Sequence, residues 1–572
     1  MKRPIPYGIM NYAELVRDNA YFVDKTRFIA KLEGIHNPVY LRPRRFVKSL
    51  FCSMLHYYYD RAQEKRFEEL FGHTWIGKNP TARHNQFIVL KLDFSEIGVS
   101  GAQTSLEEKF HLYCNERITS LSAVYPDIMQ DIPPVRPELD SCMNLSIWLD
   151  NLQKRGSPRV YVIIDEYDNF ANQLITSYQD HTYQDMTSGD NFLRTFFKVL
   201  KAGRQTDAIE NIFITGVLPI TIDDLTSSYN IGTFLTLDAS FEDMLGFTQE
   251  ETNQLLDEIY TDFLIDPATR RDVDEVIKKQ YDGYHFVNPS GQSLYNSTML
   301  MYFLRQFCDQ KIIPKHLTDL NLRTDLSWIQ RITKGSDHAE ELISELLTSD
   351  TIAYDDDYLV TKFNKAQFFT KGYYPISLFY LGLLTRDDQF RLRIPNMNIR
   401  KIFAEYFNEL LHIDVSTKYE DMMRSFIQNP DLPRLFADYW RLYISQLPEA
   451  VFTRVNENFY RTTFYELCSR YLSTWFTWNI ERSYPEGRSD LEFVGKYHEK
   501  FAGIRWIIEF KYFSNAELSR LSWTIDEFNP PNEDIMQIQG YAQGLNREYP
   551  HNSFRLFLIY CFGNQGFCVF EI

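Results

Sequence analysis

The sequence predicts an α/β protein made of two chemically distinct parts. The first is a doubly wound parallel sheet carrying a phosphate-binding loop. After a helical middle comes a smaller α/β domain built round paired carboxylates. Three observations predict this. Buried-looking runs rich in β-branched and aromatic residues alternate with amphipathic stretches through the first 240 residues or so. A short apolar run enters a basic loop that closes on Lys48-Ser49 at the start of a helix. Near the other end, two apolar strands carry Asp490 and Glu509-x-Lys511.

The loop follows Pro38 to Leu41, is basic at Arg42, Arg44 and Arg45, and gives way to Leu50, Phe51, Met54, Leu55 and Tyr58 at helical spacing. In such a loop backbone N–H groups at the helix N-terminus face phosphates, Lys48 reaches the β/γ oxygens and the Ser49 hydroxyl holds Mg²⁺. Arg44 and Arg45 count with Lys48 and Ser49 as nucleotide-binding candidates. The match to G-x-x-x-x-G-K-[ST] is incomplete, because Arg42 and Val47 stand where the two glycines would be. Taken alone, the segment reads as a solvated basic loop capped by a helix.

Downstream, Val160 to Ile164 is a buried strand ending in Asp165-Glu166. Asp165 is placed to meet the Mg²⁺ on Ser49, and Glu166 to orient an attacking water. The rival reading is an acidic turn. FIVLKLDF (Phe87 to Phe94) is another central strand, and Asp93 at its end is as well suited to capping as to ligation. A helix from Asn191 to Ala202 puts Phe192, Phe196, Val199 and Leu200 on one face. A third buried strand ends near Thr215, a γ-phosphate sensor candidate.

The C-terminal chemistry lies in GRSDLEFVG (Gly487 to Gly495), RWIIEFKYF (Arg505 to Phe513) and DIMQIQGYA (Asp534 to Ala542). Glu509 and Lys511, two apart on one strand, leave the same face of a sheet. With Asp490 they form a D…(D/E)xK arrangement in which Asp490 and Glu509 hold Mg²⁺ or Mn²⁺ and Lys511 orients or deprotonates water. Gln537 and Tyr541 stand one helical turn apart beside this strand, and Glu457 could add a carboxylate. Helices from Tyr460 to Thr474 and Asp534 to Gly544 give an α-β-β-α order on a small mixed sheet. The rival reading is a salt-bridging pair on an edge strand, but an inward Glu and Lys are costly unless paired or bound to metal.

The segments FVDKT (Phe22 to Thr26), RPRRFVKSL, LDFS (Leu92 to Ser95), VIIDEYDN (Val162 to Asn169), ITGVLPITIDDLTSSYNIGT (Ile214 to Thr233) and YDGYHF (Tyr281 to Phe286) recur in one order. Together they resemble the bacterial AAA-ATPase-like family whose members carry a C-terminal PD-(D/E)XK nuclease domain. The resemblance implies a P-loop NTPase-like sheet over 1–240, a helical lid over 241–304 and a restriction-endonuclease-like domain over 451–572; the short extended runs over 305–400 suggest a winged-helix-like module, and the amphipathic stretches over 401–450 a helical connector. The resemblance also implies that Gln537-x-x-x-Tyr541 matches the helix of exonuclease-like members. Members usually read RPRRFGKS. Val47 departs from that Gly and predicts weakened ATP binding with slow or absent hydrolysis.

At 572 residues the chain exceeds one core, so about two to four domains are expected. Hydrophobic content of 44% and aromatic content of 16% point to large cores, and a net charge of −17 argues against nucleic-acid binding by the surface as a whole. Seven scattered Cys without zinc spacing read as free thiols of a reducing cytosol. Without a signal-peptide pattern or a long apolar run, the expected protein is soluble and cytoplasmic, makes no membrane contact, and is compatible with a homo-oligomer. Arg386, Arg391, Arg393, Arg400 and Lys401 are interleaved with Asp387 and Asp388 and read as a solvated hairpin. The function expected is a nucleotide-binding module coupled to a metal-dependent nuclease acting on nucleic acid, DNA first. The alternative is a regulatory or scaffolding nucleotide binder with a degenerate ATPase site.

Overall fold

The computed structural model describes residues 2–98, 105–169, 173, 192–219, 231–319, 339–360, 367, 370–388, 390–415, 418–484, 487–496, 499–520 and 524–572. The stretch 220–230 of the motif Ile214 to Thr233 lies outside the described residues. The chain forms two compact units. One comprises Met1–Leu264, Tyr284–Arg305 and Ala353–Leu392, the other Ile265–Gly283, Gln306–Ile352 and Arg393–Ile572. The described residues hold no helix long and apolar enough to cross a membrane.

The first unit contains five parallel strands: β1 (Pro38–Leu41), β2 (Ile88–Asp93), β3 (Val160–Asp165), β4 (Ile209–Gly216) and β5 (Thr233–Phe234), in the order β2-β3-β4-β1-β5. β1 and β3 are buried along their whole length, as two-faced burial of β-branched and aromatic runs requires. Helices α1 (Lys48–Tyr59), α2 (Leu106–Val124), α3 (Ser141–Lys154) and α4 (Phe192–Gln205) cover the sheet, with α1 on β3, α2 on β2 and α4 on β4. Tyr40 pairs with Thr215, and Asp93 with Asp165. The loop after β1, the acids after β3 and the end of β4 therefore share the carboxyl edge of the sheet, where parallel sheets bind ligands. β5, only two residues long and exposed, gave no periodic signal in the sequence.

The loop after β1 is held from outside by aromatic groups. Phe46 is buried, with its ring edge-on to Tyr284 at 5.1 Å and Phe286 at 5.3 Å. The buried Arg42 guanidinium donates to the carbonyls of Leu41 (3.1 Å), Thr236 (2.8 Å) and Glu242 (3.2 Å), and lies over the Tyr40 and Phe286 rings. The Glu242 carboxylate in turn accepts from the backbone N–H groups of Phe286, Val287 and Asn288. The FVDKT motif is also structural. Asp24 accepts from Thr26 and from the Trp75 amide, and buried Lys25 pairs with Glu251 at 2.7 Å.

The extended runs of the middle form a three-stranded sheet of β6 (Thr351–Ala353), β7 (Thr385–Arg386) and β8 (Arg391–Arg393), in the order β6-β8-β7. The second unit contains a five-stranded mixed sheet of β9 (Phe476–Tyr484), β10 (Gly487–Gly495), β11 (Ile504–Phe513), β12 (Ser553–Phe562) and β13 (Gly566–Glu571), in the order β13-β12-β11-β10-β9. Only β11 and β12 run parallel. Helices α5 (Glu457–Leu472) and α6 (Asn532–Glu548) pack on it. Phe464 of α5 meets Phe493 and Phe510, while Ile538, Tyr541 and Leu545 of α6 join Ile507, Leu558 and Tyr560. The α-β-β-α order is present, with β9 added before the strand pair and β12–β13 after α6. β11 is thus the central strand, not an edge.

The ring clamp makes a prediction. Phe46→Ala removes a buried aromatic contact and should cost the first unit about 3–5 kcal/mol. Calorimetric unfolding of the full chain should show its transition moving down. An unchanged transition would mean that other contacts hold the loop.

Candidate functional site

In the first unit, Lys48 and Ser49 open α1 and face the acids that end β3. The Lys48 ammonium, almost fully buried, donates to the carbonyls of Arg42 and Pro43 at 3.2 Å each and lies 3.5 Å from Glu166 Oε1. Asp165 is fully buried; its Oδ1 accepts from the Glu166 amide at 3.0 Å, and its Oδ2 has no hydrogen-bond partner among the described residues. Burial, and next the charge of Glu166, push its carboxyl up to about 6, against the pull of the Ser49 hydroxyl and Lys48. A buried carboxylate oxygen without a donor is an atom that a cation would satisfy. Lys48, Ser49, Asp165 and Glu166 are therefore brought together.

Other candidates are placed differently. The Thr215 hydroxyl donates to the Tyr40 carbonyl at 2.8 Å, across the strand pair. Arg44 and Arg45 are half-buried in the loop. Asp93 caps the turn after β2, accepting from the Ser95 amide and hydroxyl. Asp168, to which no role attached in the sequence, is fully buried and accepts from the Val217 and Leu218 amides, tying the acidic turn to the end of β4.

A β-branched residue such as Val47 resists φ > 0. The structure places it there, at φ 54 and ψ 33, as the residue before α1, and Arg45 two residues earlier has φ 71. The loop thus keeps a glycine-like backbone with a β-branched residue in it, at a cost on the order of 1–3 kcal/mol. The valine lines an apolar cavity of about 50 Å³ with Leu50, Phe51, Met54, Leu245 and Phe247. Its surroundings are apolar, so its penalty is one of backbone conformation.

In the second unit the strands fork at the candidate acids. β10 and β11 pair from Val494↔Arg505 to Leu491↔Ile508, and Asp490 follows immediately. There the Asp490 Oδ2 atom accepts from the Phe510 amide at 2.7 Å, taking the place of a rung. Glu509 lies on β11, buried, with Oε1 accepting from Gln537 Nε2 at 3.2 Å and 3.3 Å from Lys511 Nζ. Its Oε2 is buried and has no partner among the described residues. Lys511 also donates to Gln537 Oε1 at 3.3 Å and lies 3.7 Å from Asp534. Gln537 donates to the Tyr541 hydroxyl. Asp490, Glu509, Lys511, Gln537 and Tyr541 thus form one cluster.

The electrostatics follow from crowding two buried acids. Burial, then the charge of Asp490, push the Glu509 carboxyl up to about 8. Burial raises Asp490 too, against Arg461 and the Phe510 amide. Burial alone would lower Lys511, but Glu509 and Asp534 hold its ammonium above the ordinary range. Glu457, exposed at the start of α5, is raised by partial burial and then by Asp490. Sequence reasoning missed Arg461, one turn along α5 from Glu457, whose Nη1 lies 3.1 Å from Asp490 Oδ1. The i, i+4 spacing from Glu457 was the only available signal.

Comparison with known proteins agrees with this division. Residues 6–226 match the AAA-ATPase_like family model, described as predicted AAA-ATPase, and residues 455–571 match a model of the PD-(D/E)XK nuclease superfamily. No curated protein matches the chain. The chain therefore joins an N-terminal domain of the predicted AAA-ATPase family to a C-terminal domain of the PD-(D/E)XK nuclease superfamily.

Proposed function

We propose that the chain is a metal-dependent nuclease cutting phosphodiester bonds of nucleic acid, DNA first, under the control of a module that binds ATP. The observation that carries the nuclease reading is the buried Glu509 Oε2, without a partner among the described residues, beside Asp490 at the strand fork. Mg²⁺ or Mn²⁺ would be held by Asp490 and Glu509, and when bound would neutralise charge building on the phosphoryl oxygens and make water a better nucleophile. Lys511 keeps its proton, so it serves the scissile phosphate as a cation and hydrogen-bond donor. Gln537 grips Glu509 with its amide nitrogen and Lys511 with its amide oxygen, fixing the two against each other.

Ser49 and Asp165 would hold Mg²⁺ with ATP in the first unit, and Glu166 would face the attacking water. Two observations favour binding over brisk turnover. Lys48 is engaged with its own loop carbonyls, and Val47 strains the loop. A nucleotide-binding regulatory role is therefore our reading of this module, and a scaffolding role without nuclease activity is the rival.

Three outcomes test this. Purified protein with Mg²⁺ or Mn²⁺ should degrade DNA, and Asp490→Ala, Glu509→Ala or Lys511→Ala should each lower the rate at least about a hundredfold; RNA run in parallel decides the substrate. Activity surviving in all three variants rejects the site.

The second outcome concerns pH. The metal-free Glu509 carboxyl is protonated below about 8, and cation binding needs the carboxylate. Mn²⁺ affinity measured by calorimetry should rise with pH up to about 8 and then level. Because the folded-state value is raised, the metal-free unit should also lose stability as pH climbs through that range. A pH-independent affinity would contradict the assignment.

The third concerns Val47→Gly, which should raise ATP affinity or turnover by relieving the loop. Calorimetry and phosphate release in both proteins decide it, and rapid hydrolysis by the wild type would show that the strain is harmless.

A further inference from the structure

The second unit contains a buried chain of alternating charges that ends on the candidate metal acid. Arg461 of α5 is 1% exposed. Its Nη1 lies 3.1 Å from Asp490 Oδ1, and its Nη2 lies 3.6 Å from Asp350 Oδ2. Asp350 also pairs with Arg400 on the helix Met397–Leu410. Asp350 follows the helix Ala339–Ser349 with φ 57, and the preceding carbonyl of Thr348 accepts from Asn456 Nδ2 at 2.9 Å and Asn458 Nδ2 at 2.8 Å. Asn456 caps α5, so the start of the helix that carries Arg461 is tied to the turn that carries Asp350.

Both Asp490 oxygens are engaged: Oδ2 by the Phe510 amide and Oδ1 by Arg461. A metal cation on Oδ1 would stand against the guanidinium already bound there, and the two like charges repel. A buried guanidinium that lost its only carboxylate would cost several kcal/mol. Asp350 removes that obstacle, because it offers a second carboxylate at the other terminal nitrogen of the same guanidinium. We propose that Arg461 is a positioning residue that stands in for the metal at Asp490 and is handed to Asp350 when metal binds. It rests on the nuclease reading of this centre. Without the guanidinium, Asp490 would lose the cation at its Oδ1 beside the buried Glu509. With it, the acids stay compatible with a folded core until metal arrives. The relay also sets how tightly metal is held, since metal must displace a bound cation.

The two ends of the relay predict opposite signs. The test is calorimetric binding of Mn²⁺ alone to the full chain at about pH 8.5, where protons compete least with metal. Arg461→Gln removes the competitor and should tighten Mn²⁺ binding about tenfold, while Arg461→Lys, which keeps the charge, should stay near wild type. Asp350→Asn removes the acceptor and should weaken binding about tenfold. A merely structural Arg461 would weaken or leave unchanged the affinity of every variant that folds. An unchanged or weaker Kd for folded Arg461→Gln, or an unchanged or tighter Kd for Asp350→Asn, overturns the relay. If Arg461→Gln does not fold, by circular dichroism, the Asp350→Asn result decides alone. A wild type that takes up no Mn²⁺, or takes it up equally well as Glu509→Gln, overturns the reading of the metal centre, and the relay with it.

Discussion

Buried carboxylates carried on or just after sheet strands are the constraint on which both units depend. Such acids are expensive unless something compensates each oxygen. In the first unit Asp168 is compensated by the Val217 and Leu218 amides, which orders the acidic turn against the end of β4. Gly216 is needed for that approach, since a Cβ there would stand 2.3 Å from Asp168 Oδ1. Asp165, three residues earlier, keeps one oxygen without a donor. The second unit repeats the division. Asp490 is fully engaged, and Glu509 keeps one free oxygen. Each site therefore keeps one buried carboxylate oxygen without a donor among the described residues, a place for positive charge.

The frame around the loop explains how Val47 can sit where glycine is usual. Arg42 ties the loop down ahead of its two positive-φ residues, Arg45 and Val47, and Phe46 ties it down between them. Burying a large aromatic ring and satisfying three carbonyls outweighs a strain on the order of 1–3 kcal/mol. Arg42 is therefore a structural residue at the position where the first glycine of a phosphate loop would stand. The strain remains local, at the step into α1 where phosphate-facing N–H groups would converge.

Much of this was legible because the relevant signals are short in sequence. β1 and β3 are continuous apolar runs, the first leading through the basic loop to Lys48-Ser49 and the second ending in Asp165-Glu166, and β4 carries Thr215 near its end. Glu509-x-Lys511 puts both groups on one face by the period of a strand alone. Gln537 and Tyr541 followed from helical spacing. What was not legible depends on contacts distant in sequence. Arg461 matters because of the face α5 turns to Asp490, and Asp350 because a turn more than a hundred residues earlier lies behind it. The hydroxyl of Thr215 was legible as polar but not as a donor to Tyr40, which required the β1–β4 pairing.

Glu492 shows why burial of an acid is not by itself a sign of chemistry. It lies two residues along β10 from Asp490 and is more deeply buried than Glu509. Its carboxylate accepts from Asn479 Nδ2 at 3.0 Å and Ser489 Oγ at 3.1 Å, and lies 3.6 Å from Arg505 Nη1. Arg505 lies over the Tyr549 ring, 3.6 Å from its centroid. Both oxygens of Glu492 are thus compensated by groups fixed in the fold, and no cation is wanted there. Glu509 differs in one respect: its second oxygen faces no donor. On the same sheet, with comparable burial and the same residue type, that single missing donor separates an acid that holds the structure together from one poised to bind.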